Sequence, residues 1–183
     1  MAKLRILLPS LGLAALILNG CIITQAQVFA NFPLPSPFTI NSVSDPFEMV
    51  FVDLNTVSEY NDHKDQLKGL SDVAIVGKFT NVSGPAGAVE VWITPDASSF
   101  LTVDQVKAGA TLLWGPGTIG AAPASRTIGW DESAGLFNAA GKKILIDEAL
   151  GDGTLTLYMF GTAANYQIRV ENGNIILTLT GGV

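Results

Sequence analysis

Tyr166-Gln167-Ile168-Arg169-Val170-Glu171-Asn172-Gly173-Asn174-Ile175-Ile176-Leu177-Thr178-Leu179 is the stretch on which the fold reading turns. Tyr166, Ile168 and Val170 point one way in its first half, and Ile175, Leu177 and Leu179 do so in its second. Successive side chains of a strand alternate between faces, so each half reads as a strand with one face buried. Between them stands Asn172-Gly173, two residues that tolerate φ > 0 and form the strongest short-range hairpin signal. The stretch therefore predicts a β-hairpin within an antiparallel β protein.

The same period of two recurs upstream. Phe47, Met49 and Phe51 alternate with Glu48, Val50 and Val52, and Val73, Ile75 and Phe79 with Ala74, Val76 and Lys78. Val89, Val91 and Ile93 oppose Glu90, Trp92 and Thr94; Leu155, Leu157 and Met159 oppose Thr154, Thr156 and Tyr158. Several of the opposite faces are themselves fairly apolar, which calls for loops or helices to cover them. Gly84-Pro85-Ala86-Gly87 reads as a longer hairpin loop between the Val73 and Val89 strands.

Two or three short helices interrupt the strands. Thr56-Val57-Ser58-Glu59 and Thr102-Val103-Asp104-Gln105 have the capping-box pattern, in which a Thr and a Glu or Gln three residues on satisfy orphan amide groups. The first helix is expected to run to about Leu67 and end at Gly69; the second stops at Gly109. Residues 142–150 read as a third helix, closed by Gly151, with a strand through Ile144-Leu145-Ile146 as the alternative. About eight strands with so few helices predict a mainly β fold, an antiparallel β-sandwich. No internal repeat is visible.

The N-terminus sets the compartment. Lys3 and Arg5 precede an apolar run over residues 6–18, and small Gly20 precedes Cys21, the order of a secretory signal. Leu18-Asn19-Gly20-Cys21 resembles the lipobox of bacterial lipoprotein precursors. The resemblance implies cleavage after Gly20, a diacylglycerol on the Cys21 sulfur and an acyl chain on its amine. Ile22 after the cysteine implies, by the sorting rule of such lipoproteins, the outer membrane. A buried thiol, an ordinary secretory cut and a retained membrane helix are the alternatives. A spanning helix needs about 20 apolar residues, and Pro9 and Ser10 interrupt this run. On this reading residues 1–20 are the signal, 21–36 an acylated cysteine with an extended Pro-rich tether, and 37–183 one sandwich domain. Alternatively Phe32 and Leu34 pack on the domain as an edge segment. More loosely, residues 47–94 are similar to uncharacterised bacterial envelope lipoproteins with an Asn/Asp/Lys-rich helix, here Glu59-Tyr60-Asn61-Asp62-His63-Lys64-Asp65. That likeness implies no activity.

Charge narrows the partners. Residues 1–20 hold two of the ten basic side chains and none of the sixteen acidic ones, so the remainder carries a formal charge of −8. An acidic domain repels phosphate backbones, which argues against nucleic acid. A single cysteine leaves no intramolecular disulfide.

The chemistry-bearing residues form no reaction centre in sequence. His63 is the only histidine, among Asp62, Lys64 and Asp65, and reads as part of a solvated helix face, so neither a metal nor a cofactor is expected. No Gly-x-Ser-x-Gly elbow supplies a nucleophile. Asp131-Glu132 and Asp147-Glu148 are adjacent pairs, and neighbours on a helix diverge by about 100°. Asp152, in Gly-Asp-Gly, reads as a turn residue. Trp92, Trp114 and Trp130 are the candidate binding surface, since aromatic faces stack on sugars and anchor interfaces. Trp92 is the first choice, on the polar side of its strand; burial in the core or beneath a helix is the competing reading. The segment from Gly115 to Ser125 is either a mobile surface loop or a close-packed crossover. The expected function is a non-enzymatic, lipid-anchored module that binds another envelope protein. A surface glycan binder is the first alternative and an unrecognised hydrolase the second.

Overall fold

A computed structural model of the chain describes residues 25–44, 46–95 and 99–182. They form two antiparallel sheets packed face to face, the predicted sandwich, with nine strands rather than eight. The first sheet has the order β1-β9-β4-β7, with β2 also on β9: β1 (Gln25–Pro33), β2 (Phe38–Asn41), β4 (Leu67–Ser83), β7 (Ala124–Ile128) and β9 (Gln167–Gly182). The second has the order β3-β8-β5-β6: β3 (Glu48–Asp53), β5 (Gly87–Thr94), β6 (Thr111–Ile119) and β8 (Thr154–Gly161). Val73, Ile75, Phe79, Ile175 and Leu177 from one sheet meet Val50, Val91, Ile93, Leu155 and Leu157 from the other in a single core.

Asn172-Gly173 is not a hairpin turn. It is a bulge inside the 16-residue β9, which pairs with β4 along both halves. Val76 pairs with Asn174 and Lys78 with Glu171, so Asn172 and Gly173 together oppose Gly77. Asn172 has φ 53°, the left-handed value that a bulge of this kind needs. A turn is disfavoured because each half of β9 already has neighbours on both sides: β4 on one, β1 and β2 on the other. The extra residue moves the inward side chains from even numbers (Ile168, Val170) to odd (Ile175, Leu177, Leu179), and all five stay buried.

Other expectations need correction. Of the two readings of residues 21–36, the packed edge segment is what Gln25–Pro33 adopts: it forms β1, in register with β9, and Leu34 is buried. Residues 84–86 are a crossover from one sheet to the other, because β5 pairs with β6 and β8 and not with β4. Asn81 holds this crossover and the next one, its Nδ2 donating to Pro85 O and to Gly120 O at 2.9 Å each. The segment from Gly115 to Ser125 is a crossover but not a close-packed one: residues 115–119 are the second half of β6, residues 120–123 pass, largely exposed, to the other sheet, and β7 begins at Ala124.

The first predicted helix shrinks to one turn, α1 (Ser58–Asn61). Its Thr56 is no cap: the hydroxyl donates back to Asp53 O, and β4 already starts at Leu67. The second is α2 (Val103–Gly109), where Thr102 Oγ1 accepts from Gln105 N at 3.2 Å as expected. A short helix that the sequence did not signal, α3 (Trp130–Ala134), follows β7. The third expected helix is α4 (Ala139–Leu150), capped by Asn138. It touches β4 of one sheet and β5, β6 and β8 of the other, closing one side of the sandwich.

Candidate functional site

Of the candidate residues, Trp92 alone lies on the outer face of the β3-β8-β5-β6 sheet. Trp92 on β5 pairs in register with Tyr158 on β8, and Glu90 with Phe160. Period two puts all four on the side away from the core. Because that face is apolar, the chain covers it: α2 and Phe100 lie over it, and Val106, Tyr158 and Phe160 are fully buried beneath. The rings are fixed by mutual packing. Trp92 stacks on Phe160 at 6.1 Å and 20°, and Phe100 and Phe47 meet Tyr158 at 5.3 and 5.8 Å. Lys107 of α2 sets its ammonium 5.4 Å from the Phe160 ring centroid. Trp92 Nε1 donates to Glu90 Oε2 at 3.0 Å. Trp92 therefore keeps a partly exposed indole, held rigid, with a carboxylate beside it.

The three tryptophans do not share a surface. Trp114 is fully buried in the core, stacked on Phe79 at 6.0 Å, and so presents nothing to a ligand. Its expected place in the binding surface is overturned because bulged β6 turns both Leu113 and Trp114 inward. Its Nε1 donates to Ser133 Oγ at 3.0 Å, and the same oxygen accepts from Ile75 N at 2.7 Å. Ser133 on α3 thus ties a backbone group of one sheet to an indole of the other. Trp130 opens α3, half-buried, at the β4 side of the molecule. Cys21 lies outside the described residues.

One member of each adjacent acid pair is engaged in an ion pair. Glu132 is ion-paired with Arg126, and Asp147 with Lys143 one helical turn before it. Asp152 accepts from Thr154 N and Oγ1, both at 2.8 Å, so it is the expected turn residue, and those bonds hold its carboxyl below the usual range. His63 is exposed. Tyr60 is buried under α4, donating to Ala149 O at 3.0 Å; burial, then the nearby charges of Asp152 and Asp53, push its phenol up. Among the described residues, no three His, Cys, Asp or Glu gather to hold a metal, and no helix is long and apolar enough to cross a membrane.

One exposed feature runs against the sequence reading. Alternation alone makes Phe47, Met49 and Phe51 the buried face of their strand, yet on β3 it is Val50 and Val52 that are buried. Met49 and Phe51 are 46% and 51% exposed. The inward phase continues through Leu54, also buried, and that Val-Val-Leu spacing is the signal that would have decided it. Comparison with protein-family models and with curated proteins finds no match.

Proposed function

We propose that the chain is a lipid-anchored protein of the bacterial cell envelope, acting as a non-enzymatic binding or structural module for another envelope component. The observation that carries the reading is Leu18-Asn19-Gly20-Cys21, followed within four residues by the first strand of a sandwich. At about 3.5 Å per residue, an acylated Cys21 would hold Gln25 within roughly 14 Å of the lipid surface. Two or more acyl chains anchor stably where one does not. The ion pairing of Glu132 and Asp147 further supports a module without acid/base chemistry. The test is detergent phase partition and fatty-acid labelling of the full chain beside its Cys21→Ser variant, followed by in-cell crosslinking and mass spectrometry. Label and detergent partition that depend on Cys21, with one dominant crosslinked partner, support the reading; an unlabelled, aqueous wild-type chain overturns the anchor.

A second reading has its own observation. The indole of Trp92, backed by Phe160 and flanked by Glu90, is an aromatic platform with a hydrogen-bonding group at its rim. Such a platform suits a sugar ring. A tryptophan fluorescence change on adding cell-wall polysaccharide, lost in Trp92→Ala, would favour it; silence across a broad panel would dismiss it.

A further inference from the structure

We propose that β3 is a self-pairing edge, through which two copies of the chain join antiparallel about Val50 into one eight-stranded sheet. The proposal stands on the strand edge alone and does not depend on acylation of Cys21.

Among the described residues β3 is the terminal strand of its sheet, and it pairs with β8 over six residues without a register shift. Leu54 N bonds Gly153 O at 2.8 Å in continuation of that register. Backbone groups alternate sides along an antiparallel strand, so those of Val50 and Val52 face β8 and those of Met49 and Phe51 face the open side. Natural sheets guard such edges with proline, lysine, bulges or cover. The other edges show these devices. Residues 136–138 cover β6, through Gly115 N to Leu136 O and Asn138 N to Leu113 O, at 2.9 Å each. β7 has five residues, Arg126 among them, and the β1-β2 edge is interrupted at residues 34–37. β3 has no proline, no lysine and no bulge, and it shows Met49 and Phe51 to solvent.

The occupant follows from charge and register. No residue between Glu48 and Asp53 is charged. With the two-fold axis at Val50, Met49 faces Phe51 of the second copy, twice over, and Val50 faces its own counterpart. Glu48 then stands opposite Val52, and Asp53 opposite Phe47, so no acid meets an acid. Every pair also joins side chains of the same face. A single strand pair falls short of the roughly 1,000 Å² of a stable interface, and the acidic chains repel at range. The dimer is therefore weak, strengthened by salt and by confinement to a surface.

The experiment is oxidative crosslinking of the full chain, in membranes if it partitions there and in buffer at raised salt if it does not, with the wild-type chain as the baseline for Cys21. The Val50 pair is a non-hydrogen-bonded one, with Cα atoms about 4.5 Å apart, inside disulfide range. Val50→Cys is expected to give a disulfide dimer well above wild type, and Val52→Cys is not. Phe51→Pro removes an N–H that has no partner among the described residues, and is expected to abolish wild-type dimers seen by sedimentation at raised salt, with circular dichroism unchanged. Equal crosslinking from Val50→Cys and Val52→Cys overturns the proposal. So does a wild-type chain that stays monomeric throughout, or an edge that captures a different protein while forming no dimer.

Discussion

Replacing Ser133 by alanine tests how the two sheets are held together. Its oxygen is fully buried and accepts from Ile75 N at 2.7 Å and Trp114 Nε1 at 3.0 Å. Ser133→Ala would leave both donors without a partner, and each unsatisfied buried donor costs about 1–3 kcal/mol. The expected loss is therefore about 2–6 kcal/mol, with little volume removed to add a cavity cost. For a domain of this size each kcal/mol lowers Tm by about 2–4 °C, so a fall of roughly 10 °C is expected. Urea denaturation followed by tryptophan fluorescence gives the free energy directly. The cycle with Trp114→Phe isolates the mechanism: in that background only Ile75 N is orphaned, and Ser133→Ala should cost about half as much. A loss below about 0.5 kcal/mol, or an equal loss in both backgrounds, would refute the reasoning.

Three further outcomes are expected. Gly141→Ala, normally stabilising in a helix by about 1 kcal/mol, should destabilise here, because the new Cβ would fall on Leu112 O and 2.5 Å from Leu113 Cα; thermal melting decides the sign. Asn172→Val should cost about 1–2 kcal/mol for a β-branched residue at φ 53°, while Asn172→Gly is tolerated, a contrast that the left-handed backbone at this position requires and chemical denaturation reads. The raised Tyr60 phenol, and that of Tyr166 raised by burial, mean that the folded state binds protons more tightly than the unfolded chain. Their contribution is present in full below the ordinary tyrosine value near pH 10 and is lost as pH rises from there through the higher folded-state values. Tyr60→Phe should flatten that alkaline loss of stability in a pH series.

Much of the fold was legible because burial follows local rules. Period two located β4, β5 and β8, and the Thr102 capping box located α2, since both depend on residues a few positions apart. The apolar outer face of β8 foretold a cover, and α2 supplies it. What failed were questions of partnership. Asn172-Gly173 suits a turn or a bulge equally, and only the strands flanking β9 choose between them. The switch from even to odd buried positions across it was nevertheless visible in the sequence, and a one-residue bulge is what such a switch means. Thr56 had the letters of a cap, but its hydroxyl found Asp53 O first. The candidate site was less legible still. Trp92 was placed on the correct face, whereas Trp114 was buried by irregular pairing in β6 that no alternation rule anticipates.

The position of β9 in the first sheet has a consequence for the order of assembly. β9 lies between β4 and the β1-β2 edge and comes last in the element order. A chain delivered from its N-terminal end, by a ribosome or through a narrow pore, thus presents β1, β2 and β4 long before their common neighbour arrives. The second sheet lacks its own middle strand until β8 emerges, only a few residues earlier. β4-β7 and β5-β6 can pair beforehand, but neither sheet is whole until its middle strand arrives, so both layers are completed late in delivery.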